Sequence, residues 1–133
     1  MAAERLVTLA LALAFWMPLA ICTYLAFDPS PPDAVFRVSD VVLHAFAFTY
    51  LTFALGLAHH HRHWFIPAAW MFAYGLFIEI VQAFEPERAA ELKDVGVDAA
   101  GICVGLLLTR WLGPWVRNIA NSVAVLVAPS SVK

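Results

Sequence analysis

Residues 6–27 read LVTLALALAFWMPLAICTYLAF, a run without one charged side chain. A helix needs about 20 mostly apolar residues to cross the hydrocarbon core of a bilayer. In lipid every backbone N–H and C=O must be satisfied within the segment, and a helix does this. The run is also longer than the apolar core of a secretory leader, about 7–15 residues. Leu19-Ala20-Ile21-Cys22 has the outline of a lipoprotein cleavage box, but Ile21 is large for the position before the cysteine. The stretch is therefore read as a first membrane span and not as a leader. Pro29, Pro31 and Pro32 follow it, and proline cannot continue a helix.

Three more apolar runs lie downstream, at residues 41–58, 64–84 and 95–112. They carry isolated polar residues: His44 in the second, Glu79 and Gln82 in the third, Asp98 in the fourth. After Gly113-Pro114, Arg117, Asn118, Asn121 and Ser122 fall on one helical face, with Trp115, Val116, Ile119, Ala120 and Val123 largely on the other. That pattern suits a short helix in the membrane interface at residues 114–128 and not a fifth span. The expected fold is all-α: one domain over residues 1–133, an integral membrane bundle of four transmembrane helices with a short C-terminal amphipathic helix.

Composition agrees. The 133 residues are 62% hydrophobic and 14% charged, against roughly 25% charged in a typical soluble domain. A soluble chain this short has too much surface for its volume to bury so many apolar side chains. The formal net charge of -2 indicates no basic surface for nucleic acid. Cys22 and Cys103 both lie inside apolar runs and read as small buried hydrophobes, without metal-ligand spacing. No cofactor and no metal is assigned from the sequence.

Lysine and arginine near span ends set direction, the richer side facing the cytoplasm. Arg5, Arg62, Arg110, Arg117 and Lys133 lie on the side of the termini and the second loop. Arg37, Arg88 and Lys93 lie on the other. Both termini are expected in the cytoplasm, in a multi-pass membrane protein. His59, His60, His61 and His63 surround Arg62 in the second loop and read as a polar cytoplasmic turn, with Trp64, Trp111 and Trp115 as interfacial anchors on that side.

Polar side chains within apolar spans are costly, so each invites a functional question. Asp40 and His44 are four residues apart and share a helix face; so do Asp94 and Asp98. Glu79 and Gln82 are three apart near the end of the third span. At about 1.5 Å of rise per residue, all lie within roughly two turns of one membrane surface. On the fourth span Asp94, Asp98, Gly101 and Gly105 form a stripe whose glycines let another helix approach closely. On the third, Ala68, Phe72, Gly75, Glu79 and Gln82 form another. These stripes direct the carboxylates into the bundle. Arg88, in the loop between the Glu79 and Asp98 ends, is the expected counter-charge, able to contact a carboxylate or phosphate through two N–H groups. Two readings stay open: a polar plug in which Arg88, His44, Glu79 and Asp98 satisfy one another, and a site that holds a ligand.

These same residues carry a family resemblance. Asp40-Val41-Val42-Leu43-His44 with Phe46 and Phe48 resembles the VanZ-like motif in which Asp and His open a spanning helix. Val41 stands where that motif often has Lys. Glu79-Ile80-Val81-Gln82, Arg88, Asp94, Asp98, Gly101 and Gly105 resemble its second half, with Asp98 in place of a usual Asn. The likeness covers about residues 38–112. It implies a bacterial membrane protein of the cell envelope, related to a protein of resistance to the glycopeptide teicoplanin, and it brings no assigned reaction. Resistance itself is not transferred to this chain.

The leading expectation is an outward-facing pocket of Asp40, His44, Glu79, Gln82, Arg88, Asp94 and Asp98 that binds a lipid headgroup or envelope polymer. Gly75, Gly101 and Gly105 would pack the helices, and membrane lipids would be the partners. The alternatives are a membrane-embedded enzyme and an accessory assembly subunit without a ligand. The enzyme would use His44 with Glu79 or Asp98 for acid/base work on a lipid-linked phosphate, with or without a divalent metal.

Overall fold

The computed structural model describes residues 2–28, 40–59, 63–84 and 92–127, and the side chains of these except Asp40 and Leu92. Four helices account for nearly all of them: α1 (Ala2–Phe27), α2 (Asp40–Ala58), α3 (Ile66–Gln82) and α4 (Leu92–Val127). The described residues contain no strand. By length and hydropathy α1, α2 and α4 can each cross a membrane. The third is shorter than its apolar run. Trp64 and Phe65 form a turn before it and Ala83 and Phe84 a turn after it, leaving 17 helical residues, or about 25 Å.

Consecutive helices run in opposite directions. The Thr23 hydroxyl meets Tyr74 Oη at 2.9 Å, and Gln82 Nε2 donates to the Ala26 carbonyl at 3.1 Å, so α1 and α3 end together. Tyr50 donates to the Ala14 carbonyl at 2.7 Å, which joins α2 to α1; His44 lies beside Glu79 and Phe48 against Gly75, so α2 runs opposite to α3 and hence to α1. The helices α2 and α4 are parallel: Thr49 Oγ1 donates to the Gly101 carbonyl at 3.2 Å, and further along Arg117 reaches the Gly56 and Leu57 carbonyls. One end of the bundle thus gathers the starts of α2 and α4 with the finishes of α1 and α3.

Glycine sets the closeness of α2 and α4. A Cβ on Gly101 would lie 2.8 Å from the Ala45 carbonyl oxygen, and one on Gly105 would lie 2.6 Å from that of Thr49. The backbones approach where only a hydrogen fits. Beside this seam lies a small core of Phe15, Phe48, Leu51, Ala54, Leu55, Met71 and Ile102. Most large apolar side chains face outward instead, among them Leu9, Met17, Ile21, Trp70, Ile80 and Leu107. Such a surface is far larger than a water-soluble monomer exposes. It marks an integral membrane protein whose apolar faces lie in lipid.

Three expectations need correction. Residues 114–127 do not form a separate tail helix; they continue α4 through Pro114. Proline inside a helix removes one backbone hydrogen bond and costs about 3 kcal/mol. One turn later the Arg117 guanidinium donates to the last carbonyls of α2, at 2.9 Å each, which ties this part of α4 to the bundle. On α3 the buried stripe runs through Pro67, Met71, Gly75, Ile78, Glu79 and Gln82, whereas Phe72 is 41% exposed. Met71, 2% exposed, belongs to the same buried cluster as Phe48 and Leu51. Cys103 is exposed, whereas Cys22 is half-buried and packs against the core.

Candidate functional site

The starts of α2 and α4 and the end of α3 bring four of the expected residues together. His44 lies one turn into α2, Asp94 in the first turn of α4, Asp98 one turn further, and Glu79 one turn before the end of α3. Glu79, Asp94 and Asp98 are only 8%, 4% and 3% exposed. The His44 side chain is 18% exposed and is the part of the cluster most open to its surroundings.

His44 Nδ1 lies 2.9 Å from Asp98 Oδ1. With the carboxylate as acceptor, the imidazole Nδ1–H is the donor of this hydrogen bond. The other Asp98 oxygen lies over Gly75, where a Cβ would come within 2.8 Å of it. Gly75 thus makes room for a carboxylate as well as for a helix. The Phe48 ring lies nearly parallel to the imidazole, 6.3 Å away, and also lines Gly75. Donor atoms of His44, Glu79 and Asp94 all fall within 4.8 Å of one another. The four side chains therefore form one unit.

Helix direction explains part of this placement. The N-terminus of a helix carries a partial positive charge, equivalent to about +0.5 of an elementary charge, that falls off within the first turn. Asp94 sits in that turn of α4, where the field favours its carboxylate. Glu79 sits toward the C-terminal end of α3, where the field opposes an anion.

The other expected residues stand apart. Gln82 is buried, but it donates to the Ala26 carbonyl and so ties the end of α3 to α1. Asp40 opens α2 with its backbone at the same end; its side chain lies outside the described residues, and so does Arg88. Gly101 and Gly105 pack α4 on α2 below the cluster. At the opposite end, an open groove is lined by His63, Trp64, Arg110, Trp111 and Arg117 and holds none of the acidic residues. His60, His61 and Arg62 of the second loop lie outside the described residues.

A short, all-helical membrane protein with a buried histidine–carboxylate cluster at one end is the class that fold and site define. The VanZ/LLP1 family model matches residues 5–113, most of the chain and every residue of the cluster. The protein belongs to this VanZ-like family. No curated protein and no solved structure matches the chain.

Proposed function

We propose that the protein acts in the bacterial cell envelope by holding the anionic headgroup of a lipid, or of a lipid-linked envelope polymer, at the cluster of His44, Glu79, Asp94 and Asp98. The observation that carries this reading is the convergence of these four side chains, from three helices, at one end of an otherwise apolar bundle. A lipid in the surrounding leaflet presents its headgroup at that depth while its tails lie along the outward-facing apolar side chains. In this reading all four helices cross the inner membrane, both termini are cytoplasmic, and the cluster faces outward.

Arg88 supplies the charge that a phosphate or carboxylate needs, because its planar fork offers two N–H groups to two oxygens at once. Asp40 and Gln82 border the site. The polar-plug alternative uses the same residues with no ligand. Native mass spectrometry of protein released from gently extracted membranes separates the two. A bound phospholipid or lipid-linked sugar is expected on the wild type and on Lys93→Ala, and its loss on Arg88→Ala. Equal lipid content in all three proteins would refute the reading.

A further inference from the structure

A phosphate group carries negative charge, yet the cluster presents three carboxylates and one imidazole. The geometry of the cluster answers this difficulty, because its donor atoms are arranged as a ligand set.

His44, Glu79 and Asp94 each offer one ligand atom, and the three lie within 4.8 Å of one another. A tetrahedral ion with ligands at about 2.0–2.2 Å holds those ligands roughly 3.4 Å apart. Small side-chain rotations close that difference, since each donor sits at the end of its own side chain on a different helix. The ligands come from α2, α3 and α4 separately. A fourth residue then does what carboxylates commonly do behind a metal-bound histidine. Asp98 Oδ1 lies 2.9 Å from Nδ1 and, as acceptor of its proton, would direct Nε2 to the metal.

We propose that His44, Glu79 and Asp94 bind one divalent first-row cation, zinc or manganese by donor type, with Asp98 as the positioning residue for His44. One imidazole nitrogen with two carboxylate oxygens suits these ions better than magnesium or calcium, which take oxygen ligands almost alone. Three protein ligands leave at least one position open on the ion. The exposed edge of the site, at His44, is where a further oxygen ligand would enter. A cation there turns a repulsive acidic cluster into one that attracts an anionic oxygen. That last role rests on the headgroup reading above; the metal site itself does not.

The test uses the full chain purified in detergent, stripped with chelator, then loaded with zinc or manganese alone and dialysed. The background for every protein is His60→Ala, His61→Ala and His63→Ala, which removes the competing histidines of the second loop. About one metal ion per chain is expected. His44→Ala, Glu79→Gln and Asp94→Asn should each lower affinity by at least 100-fold. Asp98→Asn should lower it by about 10–100-fold while keeping the stoichiometry, as a residue behind the ligands does. X-ray absorption of the zinc form should show one nitrogen and at least two oxygens. Thermal unfolding of the otherwise unaltered background protein, with and without metal, covers the case in which a ligand variant fails to fold. A metal-dependent rise in Tm, reversed by chelator, is expected.

No bound metal, or metal that all four variants retain unchanged, would overturn the site. Measuring co-purified lipid on the same samples keeps the two ideas distinct. Metal held by these residues with no lipid retained upholds the ion and sinks the headgroup reading. Lipid retained by a protein that binds no metal does the reverse.

Discussion

Gly105 offers the sharpest test of how the fold builds the site. An added Cβ there would lie 2.6 Å from the Thr49 carbonyl oxygen and 2.6 Å from the Thr52 Cβ, about 0.8 Å short of ordinary contact at 3.4 Å. Neither neighbour is the end of a flexible side chain, so α2 and α4 must move apart. Overpacking of this kind costs about 1–3 kcal/mol. Replacing a helical glycine with alanine also gains roughly 0.5–1 kcal/mol by restricting the backbone. Gly96 separates these effects: it lies in the same helix, and a Cβ there would meet nothing within 4 Å. The backbone gain is common to both sites, so the difference in stability between Gly105→Ala and Gly96→Ala isolates the steric term. Gly105→Ala should be the less stable by about 1–3 kcal/mol. Reversible unfolding in mixed micelles, followed by tryptophan fluorescence, measures this directly. Equal stabilities of the two variants, within about 0.5 kcal/mol, would refute a close crossing of α2 and α4 at Gly105.

Two further outcomes are expected. Arg117→Ala should cost about 1.5–3 kcal/mol in the same assay, because it removes the charged donor from the Gly56 and Leu57 carbonyls; Arg117→Lys should recover only part of that, since an ammonium lacks the fork. Alkaline phosphatase joined after Lys133 should be inactive in a host with a periplasm, whereas the same enzyme joined after Asp33 should be active; the opposite result would invert the proposed topology.

The helices were legible because length and hydropathy act locally. An uncharged run of 22 residues has few structural options, and proline after Phe27 leaves little doubt about where it stops. The details that went astray depend on neighbours. Phe72 and Met71 are both apolar, and the rotation of α3 against its neighbours decides that the thioether goes inward. Pro114 marks a helix end by every local rule, but Arg117 meets partners on another helix, 60 and 61 residues earlier in the chain. No local pattern contains that contact.

For the site, spacing disclosed depth but not contact. The separations of four between Asp40 and His44 and between Asp94 and Asp98 placed those residues on single faces near one surface. The pairing of His44 with Asp98, across 54 residues, needed the register that Gly101 and Gly105 impose on α4 against α2. Gln82 looked equivalent to Glu79 in sequence, yet its amide turns to α1. In sequence a divalent metal is one option for His44 with Glu79 or Asp98, but Asp94 is not singled out as a ligand. Metal motifs are recognised when one segment supplies two or more donors at fixed spacing, and here each helix supplies one.

Helix direction links these observations into one electrostatic design. In the bundle, α2 and α4 start where the acidic cluster lies, and α2 finishes where Arg117 binds its carbonyls. Partial positive charge at a helix start favours carboxylates, and partial negative charge at a finish favours a cation. Both preferences are met, at opposite ends of the molecule. The second end also carries Arg110, exposed beside Arg117 in the same groove. A lysine- and arginine-rich end is the one retained in the cytoplasm during insertion. In the proposed topology this end is cytoplasmic, and His44, Glu79, Asp94 and Asp98 lie at the opposite, outward end. Glu79 is the exception, an anion near the finish of α3, where the local field opposes it. The α3 dipole therefore does not account for its burial beside His44 and Asp94.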